Sequence, residues 1–230
     1  MSIVLSARQI HKVYSTASGD VPALNGITCD FEEGMFYAII GRSGSGKSTL
    51  LHILGGLDRP TSGEVLVDGK DICAMNDEQM AIFRRRHMGF VFQQFNLLEE
   101  YNVKNNILMP LKLHGRKADP SFYEEVIATL GLKEKVRKFP SELSGGEQQR
   151  VAIARSILAK PRLIIADEPT GNLDPARSFE IMSLLQEINR LGTTMLVVTH
   201  EQNLVEQFTN RVITINDGYI VSDRMDGRYE

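Results

Sequence analysis

The sequence predicts an α/β fold in which a helical lobe interrupts a core of alternating strands and helices. Short apolar segments of strand type alternate with amphipathic helical segments over most of the chain, and runs apolar at successive positions are typical of a sheet covered on both faces. Between about Asn96 and Lys160 only helical patterns occur. With 230 residues, 42% of them hydrophobic, the chain can bury a substantial core.

The individual elements follow from the same patterns. Apolar runs bounded by polar or turn residues predict buried strands, and apolar spacings of three to four residues predict helices. One helix is expected to begin at Pro175, with Phe179, Met182, Leu185 and Ile188 as its inward stripe. The predicted strands lie at 36–40, 64–67, 163–166 and 195–199, and the other predicted helices at 48–54, 103–113, 122–130 and 147–159.

Composition and charge argue against several classes of protein. The formal net charge is -3 and there is no dense Lys/Arg stripe, so we expect no nucleic-acid partner and interpret Arg84, Arg85 and Arg86 as a solvated helix face. Cys29 and Cys73 lie far apart without metal-ligand spacing, which predicts free thiols in a reducing compartment. No stretch approaches about 18 consecutive apolar residues, so neither a membrane span nor an export signal is expected.

A glycine-rich loop follows the predicted strand at 36–40 and precedes a predicted helix. It fits the phosphate-loop pattern, in which glycines turn backbone N–H groups toward a β-phosphate, the lysine reaches the β- and γ-phosphates, and the hydroxyl residue binds Mg²⁺. A plain glycine-rich turn is the alternative, and the strand-loop-helix context disfavours it. The predicted nucleotide-binding residues are Gly41, Arg42, Ser43, Gly44, Ser45, Gly46, Lys47, Ser48 and Thr49.

Two acids end the predicted strand at 163–166. Asp167 and Glu168 stand at the carboxyl edge of a buried strand, where open α/β sheets bind ligands. We expect Asp167 to hold Mg²⁺, directly or through water. Glu168 points the other way on an extended chain and is expected to take a proton from the attacking water. By itself the pair would be interpreted as a cap on the Pro169 turn, and the phosphate loop in the same chain favours the metal site.

A second anion site is predicted at residues 143–150, which read Leu-Ser-Gly-Gly-Glu-Gln-Gln-Arg. The serine and two glycines leave backbone N–H groups bare at the start of a predicted helix, where negative charge is favoured. Ser144 and Glu147 also form a capping-box pattern, and the two roles are compatible. One chain therefore carries two separate half-sites for phosphate.

With the glycine loop, the octapeptide and the acidic pair in this order, the chain closely resembles the ATP-binding subunits of ABC transporters. The resemblance covers nearly the whole chain. It implies an α/β P-loop NTPase core with an ABC-type antiparallel β subdomain and an inserted α-helical subdomain. Residues 1–94 and 161–230 would form the nucleotide-binding core, and about 95–160 the helical subdomain with the octapeptide.

The resemblance also implies that ATP binds between two copies of the chain. In that family the octapeptide of one subunit closes over the ATP held by the phosphate loop of the other. Ser144, Gly145, Gly146 and Glu147 would then act in trans, together with the interface residue Asp174, for which a helix N-cap is the competing role. The implied cofactors are ATP and Mg²⁺, and the implied partner is a second copy in a homodimer.

Three more residues match family positions. Tyr14 matches the aromatic residue that stacks on adenine, with core or edge packing as its alternative. Gln93 matches the glutamine that approaches Mg²⁺ and the attacking water, and Gln94 beside it leaves the register open. His200 matches the histidine that senses the γ-phosphate. Without that match, a lone histidine at the end of a strand would be interpreted as an ordinary surface residue.

The implied catalytic set is Lys47, Gln93, Glu168 and His200, and the implied Mg²⁺ ligands are Ser48, Gln93 and Asp167. The other histidines match no family position and show no ligand spacing. They are His11, His52, His87 and His114.

Without a predicted membrane span, the membrane half of a transporter would be a separate permease, which places this chain at the cytoplasmic face of the cell membrane. The segment from Gln93 to Tyr101 is the candidate docking site, because Phe95, Leu97, Leu98 and Tyr101 offer apolar side chains to a helix of the permease. Packing within the helical lobe is the alternative for each of these residues.

Residues 92–98 and 167–174 resemble the group that serves macrolide export, lipoprotein release, antimicrobial-peptide resistance and cell division. Importer ATPases more often carry Ser-Ala in place of Gly171 and Asn172. We therefore predict an ATPase that drives export or mechanotransmission of a hydrophobic compound, peptide or lipoprotein, with an importer or a regulatory envelope or division ATPase as the alternative. The segment between the glycine loop and the octapeptide contains no sustained heptads, so the long coiled coils of DNA-repair ATPases are excluded. Each motif occurs once, whereas a translation-associated ATPase would carry two cassettes.

Overall fold

The computed structural model describes residues 2–17 and 19–225, so the predicted limits at residues 1 and 230 lie outside the described part. Ten strands and seven α-helices form within these ranges. The strands are β1 (Ile3–Thr16), β2 (Gly19–Glu32), β3 (Phe36–Ile40), β4 (Ser62–Val67), β5 (Lys70–Asp71), β6 (Met88–Phe92), β7 (Leu163–Asp167), β8 (Thr194–Val198), β9 (Arg211–Asn216) and β10 (Tyr219–Met225). The helices are α1 (Lys47–Leu54), α2 (Asp77–His87), α3 (Val103–Leu113), α4 (Pro120–Thr129), α5 (Gly145–Ile157), α6 (Pro175–Arg190) and α7 (Gln202–Phe208).

A six-stranded sheet with the order β10-β9-β3-β8-β7-β6 forms the centre of the fold. Strands β9, β3, β8, β7 and β6 run parallel, and β10 pairs antiparallel with β9 at one edge. Every residue of β3 and β8 is buried. This burial confirms the predicted sheet covered on both faces, because successive side chains of a strand point to opposite sides.

Each face of the central sheet carries its own apolar cluster. In β7, Leu163 and Ile165 belong to one cluster, whereas Ile164 and Ala166 belong to the other. The first cluster contains α1 and the antiparallel sheet, and the second contains apolar residues of α3, α4, α5, α6 and α7. Burial of these side chains from water is the main favourable contribution to folding.

A four-stranded antiparallel sheet with the order β2-β1-β4-β5 is the antiparallel subdomain that the resemblance implies. The predicted strand at 64–67 belongs to β4 of this sheet, where only Val65 and Val67 are buried. It is therefore not covered on both faces, which corrects the prediction. The long β1–β2 pair did not show as alternation in the sequence because its register shifts several times, and Gln9 adopts a left-handed φ of 48°.

Residues 93–162 contain helices and no strand, as the sequence predicts. Two of these helices begin earlier than predicted, and capping explains both. The Asp119 side chain accepts from the backbone N–H of Ser121, so α4 begins at Pro120. The Ser144 side chain caps α5, which therefore begins at Gly145.

Two sequence interpretations of helix faces are wrong. Arg84 and Arg85 are half-buried rather than solvated, because their guanidinium groups donate to the carbonyls of Gly56 (2.6 Å) and Leu113 (2.9 Å) at the ends of α1 and α3. Arg86 alone is exposed as expected.

The inward stripe of α6 also differs from the prediction. Phe179 is 43% exposed and makes an edge contact with Phe208, at 5.2 Å between ring centroids. Ile188 is partly buried, and Met182 and Leu185 are buried as predicted. Ser178 and Ile181 fill the buried positions instead, because the 3.6-residue period turns Phe179 toward the edge of the stripe.

Cys29 and Cys73 are both free thiols. None of the helices in the described ranges is long and apolar enough to span a membrane.

A buried asparagine fastens the segment between β6 and α3. Asn106 is fully buried in α3; its side-chain oxygen accepts from the Leu98 N–H (2.8 Å), and its amide donates to the carbonyls of Leu98 (3.0 Å) and Tyr101 (2.8 Å). The Asn106 side chain keeps these hydrogen bonds only while residues 98–101 hold their present backbone conformation. Asn106 therefore determines the conformation of residues 98–102.

Replacing Asn106 by Leu should destabilise the protein and loosen this segment. The substitution leaves the Leu98 and Tyr101 carbonyls without their donor, so we expect the free energy of unfolding in urea to fall by about 2 kcal/mol. Amide hydrogen exchange at residues 98–102 should become faster. In the control, Asn105→Leu, one contact with Lys112 is lost at a partly exposed position. Equal stability of the two variants would contradict the role of Asn106.

Candidate functional site

The glycine loop joins β3 to α1 at the carboxyl edge of the central sheet. Lys47 is buried to 7% exposure, and its Nζ donates to the Arg42 carbonyl at 2.8 Å, across the turn of the loop. The loop rests on the β9–β10 turn through a bond from the Gly218 N–H to the Ser45 carbonyl (3.0 Å). The Ser45 hydroxyl is buried and has no partner among the described residues.

Two loop glycines are required by the backbone. A Cβ on Gly41 would lie 2.1 Å from the Ile215 carbonyl, and one on Gly46 would lie 2.5 Å from the Ala23 carbonyl. Both residues also have positive φ, 151° and 102°. A side chain at either position is excluded, so the path of the loop requires glycine at both.

Asp167 contacts two residues of α1. Its Oδ1 accepts from the Ser48 hydroxyl at 3.0 Å, and its Oδ2 lies 3.3 Å from His52 Nε2. Ser48 and His52 are four residues apart and therefore share one face of the helix. The structure thus brings together the predicted metal ligands Ser48 and Asp167, and it adds His52, which was not predicted from the sequence. The four-residue spacing from Ser48 was the available signal.

Glu168 lies beside His200 but adopts an unusual backbone conformation. Its φ is 47°, in the left-handed region that non-glycine residues seldom occupy, and its N–H donates to the Val198 carbonyl at 2.9 Å. Glu168 Oε1 is 3.6 Å from His200 Nδ1. Because its φ is left-handed, Glu168 does not continue the extended strand. The expectation that its side chain points opposite to that of Asp167 on an extended chain therefore does not hold.

Gln93 faces the turn that follows Glu168. Its Nε2 lies 3.4 Å from the Asn172 side-chain oxygen, and the Asn172 amide donates to the Gln93 carbonyl at 2.9 Å. A Cβ on Gly171 would lie 2.8 Å from Gln93 Nε2. These contacts place Gln93 against the turn at 171–172. Asn172 binds the Gln93 backbone, and Gly171 leaves room for the Gln93 side chain.

Tyr14 lies beside the glycine loop at the end of β1. Its hydroxyl donates to Asp58 at 2.8 Å, and Lys12 Nζ lies 4.7 Å from the ring centroid. Partial burial and the Asp58 carboxylate raise the pKa of Tyr14, and a contact with Thr49 acts in the opposite direction. The ring is 39% exposed, so the alternative of core packing does not apply.

The octapeptide forms the start of α5 as a complete capping box. The Ser144 N–H donates to the Glu147 carboxylate at 2.8 Å, and the Glu147 N–H donates to the Ser144 hydroxyl at 3.4 Å. Lys135 lies 2.8 Å from the other Glu147 oxygen, and this contact, with the Ser144 N–H, lowers the pKa of Glu147 to about 2. Lys135 thereby offsets the charge of the ionised carboxylate, and Gly145 and Gly146 place their N–H groups in the first turn of α5, where an anion is favoured.

Asp174 caps α6 close to the octapeptide. Its carboxylate accepts from the Arg177 N–H at 3.1 Å, and the Arg177 side chain lies 3.3 Å from where a Cβ of Gly146 would be. A cavity of about 180 Å³ between α5 and α6 is lined by Ser144, Gly146, Glu147, Arg150, Arg177, Glu180 and Ile181. The N-cap role of Asp174 is therefore present beside the predicted anion site.

The predicted residues form two groups in one chain. The glycine loop lies with Asp167, Glu168 and His200, whereas Ser144, Gly145, Gly146 and Glu147 lie with Asp174. No hydrogen bond among the described residues joins the octapeptide to the glycine loop. Besides His52, the role of one more residue was missed from the sequence: Gln149 lies within the octapeptide and is buried in α5, but nothing in the sequence indicated a contact beyond its own helix.

Comparisons with known proteins agree with the resemblance. Residues 24–171 match the ABC transporter family. The chain is 43% identical to the cell division ATP-binding protein FtsE of Bacillus subtilis, over 96% of this chain and 97% of that protein. It is 43% identical to the lipoprotein-releasing system ATP-binding protein LolD of Geobacter metallireducens, over 97% and 100%.

A longer relative and a solved structure complete the comparison. The chain is 44% identical to the macrolide export ATP-binding/permease protein MacB of Chlorobium luteolum over 98% of its own length, but it spans only 34% of that protein. The dimeric bacterial ABC transporter cassette MJ0796 superposes with a TM-score of 0.89 at 37% identity, over 98% of this chain and all of that one. The same cassette has also been solved in a post-hydrolysis state bound to ADP and Pi, with a TM-score of 0.88.

A match of this extent to the family and to full-length relatives, on a chain that carries the glycine loop, the acidic pair and the octapeptide in order, leaves one conclusion: the chain belongs to the ABC transporter family, as an ATP-binding cassette.

Proposed function

We propose that two copies of this chain bind two ATP molecules head to tail and hydrolyse them to drive a separate permease. The observation that carries the proposal is the separation of the two phosphate half-sites, which lie apart in one chain and share no hydrogen bond among the described residues. Each ATP would lie between the glycine loop of one copy and the octapeptide of the other. Ser144, Gly145 and Gly146 would bind the γ-phosphate in trans, and Glu147 would hold the helix start.

The glycine loop would bind the phosphates of the same copy. Backbone N–H groups of Gly41 to Gly46 would bind the phosphates, and Lys47 would exchange its present acceptor, the Arg42 carbonyl, for the β- and γ-phosphates. Thr49 continues the loop into α1, and Tyr14 beside it would stack on the adenine ring. Ser43 and Gly44 are exposed and would close over the phosphates.

The residues at the end of β7 fit Mg²⁺. A hydroxyl and a carboxylate 3.0 Å apart, Ser48 and Asp167, are the oxygen ligands that this ion prefers. The described residues contain no group of three or more His, Cys, Asp or Glu side chains that could hold a metal alone. The phosphates of ATP would therefore complete the site. Gln93 would approach it from the loop after β6. Mg²⁺ supplies charge stabilisation to the transferred phosphoryl group.

Glu168 is the general base in this proposal. Its carboxylate would take a proton from the attacking water, and His200, 3.6 Å away, would orient it and contact the γ-phosphate. The left-handed φ of Glu168 ends the extended backbone of the strand at this residue. Catalysis of this kind depends mainly on positioning and charge stabilisation, while Asp174 would join the two copies at their interface.

The permease would dock in a groove between α2, β6, α3 and the end of α5. Its volume is about 590 Å³, and its lining includes Phe90, Phe92, Leu113, Arg85 and Arg155. The apolar part of this lining suits the hydrophobic face of a helix. The groove adjoins the segment from Gln93 to Tyr101.

Not every residue of that segment faces outward. Leu98 and Tyr101 are 40% and 41% exposed and remain candidates for contact with the permease. Phe95 packs close to Gly145, and Leu97 packs on the second apolar cluster. Arg155 fixes the segment by donating to the carbonyls of Phe95 (2.9 Å) and Asn96 (2.6 Å).

Export or mechanotransmission of a hydrophobic compound, peptide or lipoprotein is the transport function we propose. It is supported by the relatives named for macrolide export and lipoprotein release. The chain would then associate peripherally with the cytoplasmic face of the membrane through the permease. A regulatory role in cell division is the second candidate, because FtsE is matched over nearly its whole length.

Replacing Glu168 by Gln should trap the dimer. The variant retains the loop and the octapeptide, so it should bind ATP and form a stable dimer in size-exclusion chromatography with light scattering, but release no phosphate. Lys47→Ala serves as the control that loses ATP binding and stays monomeric. Full turnover by Glu168→Gln would show that another group is the base.

Replacing His52 by Ala should weaken the metal site specifically. The contact with His52 holds the Asp167 carboxylate, which would bind Mg²⁺, and loss of such a partner typically lowers metal affinity by about 10- to 100-fold. We expect this shift in the Mg²⁺ dependence of hydrolysis and in Mn²⁺ binding to the ATP-loaded protein, followed by electron paramagnetic resonance. His52→Gln, which restores a donor, should recover most of the affinity, and His114→Ala should have no effect. An unchanged Mn²⁺ affinity in His52→Ala would rule out this role.

A further inference from the structure

A buried glutamine in α5 has no part in the chemistry described so far. Gln149 has no exposed surface, and its Nε2 donates to the Pro169 carbonyl at 2.6 Å. Its Oε1 is buried without a partner among the described residues. A methionine of similar length would fill the space and remove the unpaired oxygen, but it would leave the Pro169 carbonyl without its donor. Stability alone therefore does not favour glutamine over methionine here.

The acceptor of this bond belongs to the turn that carries Glu168. Pro169 follows Glu168 directly, and the turn closes through a bond from the Gly171 N–H to the Glu168 carbonyl at 3.1 Å. On its other side the turn is fastened to the loop after β8, because the Thr170 hydroxyl bonds to the Glu201 carboxylate. Gln149 supplies the connection from α5. The orientation of Glu168 is thus fixed between two elements.

The donor of this bond belongs to the helix that begins at the octapeptide. Ser144 and Gln149 are five residues apart, about 7.5 Å along the axis of α5. The capping box at Ser144 and Glu147 makes the first turns of the helix regular. A shift of Ser144 toward a ligand would therefore move Gln149, and with it the Pro169 carbonyl.

We propose that Gln149 is a positioning residue that couples the two half-sites of one subunit. When the octapeptide engages the ATP of the partner copy, Gln149 brings the Glu168 turn of its own subunit into the geometry for hydrolysis. Occupation of one ATP site thus promotes catalysis at the other. The inference rests on the proposed ATP-bound dimer.

The test exchanges Gln149 for Met. The wild type contains one unpaired buried atom at this place, Oε1, and the variant contains one, the Pro169 carbonyl, so the melting temperature should change by less than about 4 °C. In the Glu168→Gln background, Gln149→Met should dimerise at the same ATP concentration as its parent. With Glu168 intact, kcat should fall about 100-fold with little change in KM, because the base is misplaced while ATP still binds.

Gln186→Met is the matched control, since Gln186 also lies on a helix and its amide also faces a backbone carbonyl, that of Phe208 (3.5 Å). The control should keep the wild-type kcat. If Gln149→Met also keeps the wild-type kcat, the coupling is overturned. If it loses ATP-dependent dimerisation and kcat in parallel, the coupling is likewise overturned and Gln149 has a structural role. A wild type that neither dimerises with ATP nor hydrolyses it would instead overturn the proposed function.

Discussion

The parallel register of β3, β8 and β7 is the constraint on which the whole site depends. Ile39 lies level with Val198, and Val198 lies level with Asp167. Because parallel strands present their carboxyl ends at one edge, the glycine loop after β3 and the acids after β7 must meet there, one strand apart. The 3.0 Å contact between Ser48 and Asp167 is the result. The two apolar clusters keep this register, since a slip by one residue would move buried side chains to the wrong face.

The second half-site obeys a different constraint. It is built at the start of α5, in the helical part of the chain, and nothing in the described structure folds it back onto its own glycine loop. A chain that can complete its ATP site only with a second copy is consistent with the dimeric cassette that it resembles at a TM-score of 0.89. Within one copy, α5 is connected to the turn after Glu168 through the bond from Gln149 to the Pro169 carbonyl. In the proposed dimer, this bond joins the helix that would contact the partner's ATP to the proposed general base of the same copy.

Local motifs made much of this predictable from the sequence. The glycine loop, the acidic pair and the octapeptide each depend on consecutive residues, and buried strands such as β3 and β8 are apolar at nearly every position. What could not be predicted depends on tertiary contacts. Arg84 and Arg85 donate to carbonyls at the ends of helices distant in sequence. Phe179 lies at the edge of the buried stripe of its helix. The roles proposed for His52 and Gln149 depend on their contacts with Asp167 and Pro169, which only the folded structure shows.

The most direct measurement of the central claim, that each ATP site is shared by two copies, is complementation between two inactive variants. Ser144→Arg obstructs the octapeptide but keeps the glycine loop, and Lys47→Ala disables the loop but keeps the octapeptide. Neither variant alone can form an intact site, whereas a mixed dimer contains one. With Glu168→Gln added to both variants to prevent turnover, we therefore expect the mixture to form an ATP-dependent dimer in size-exclusion chromatography with light scattering, whereas each variant alone stays monomeric. A mixture that stays as monomeric as its components would contradict shared sites and, with them, the head-to-tail dimer.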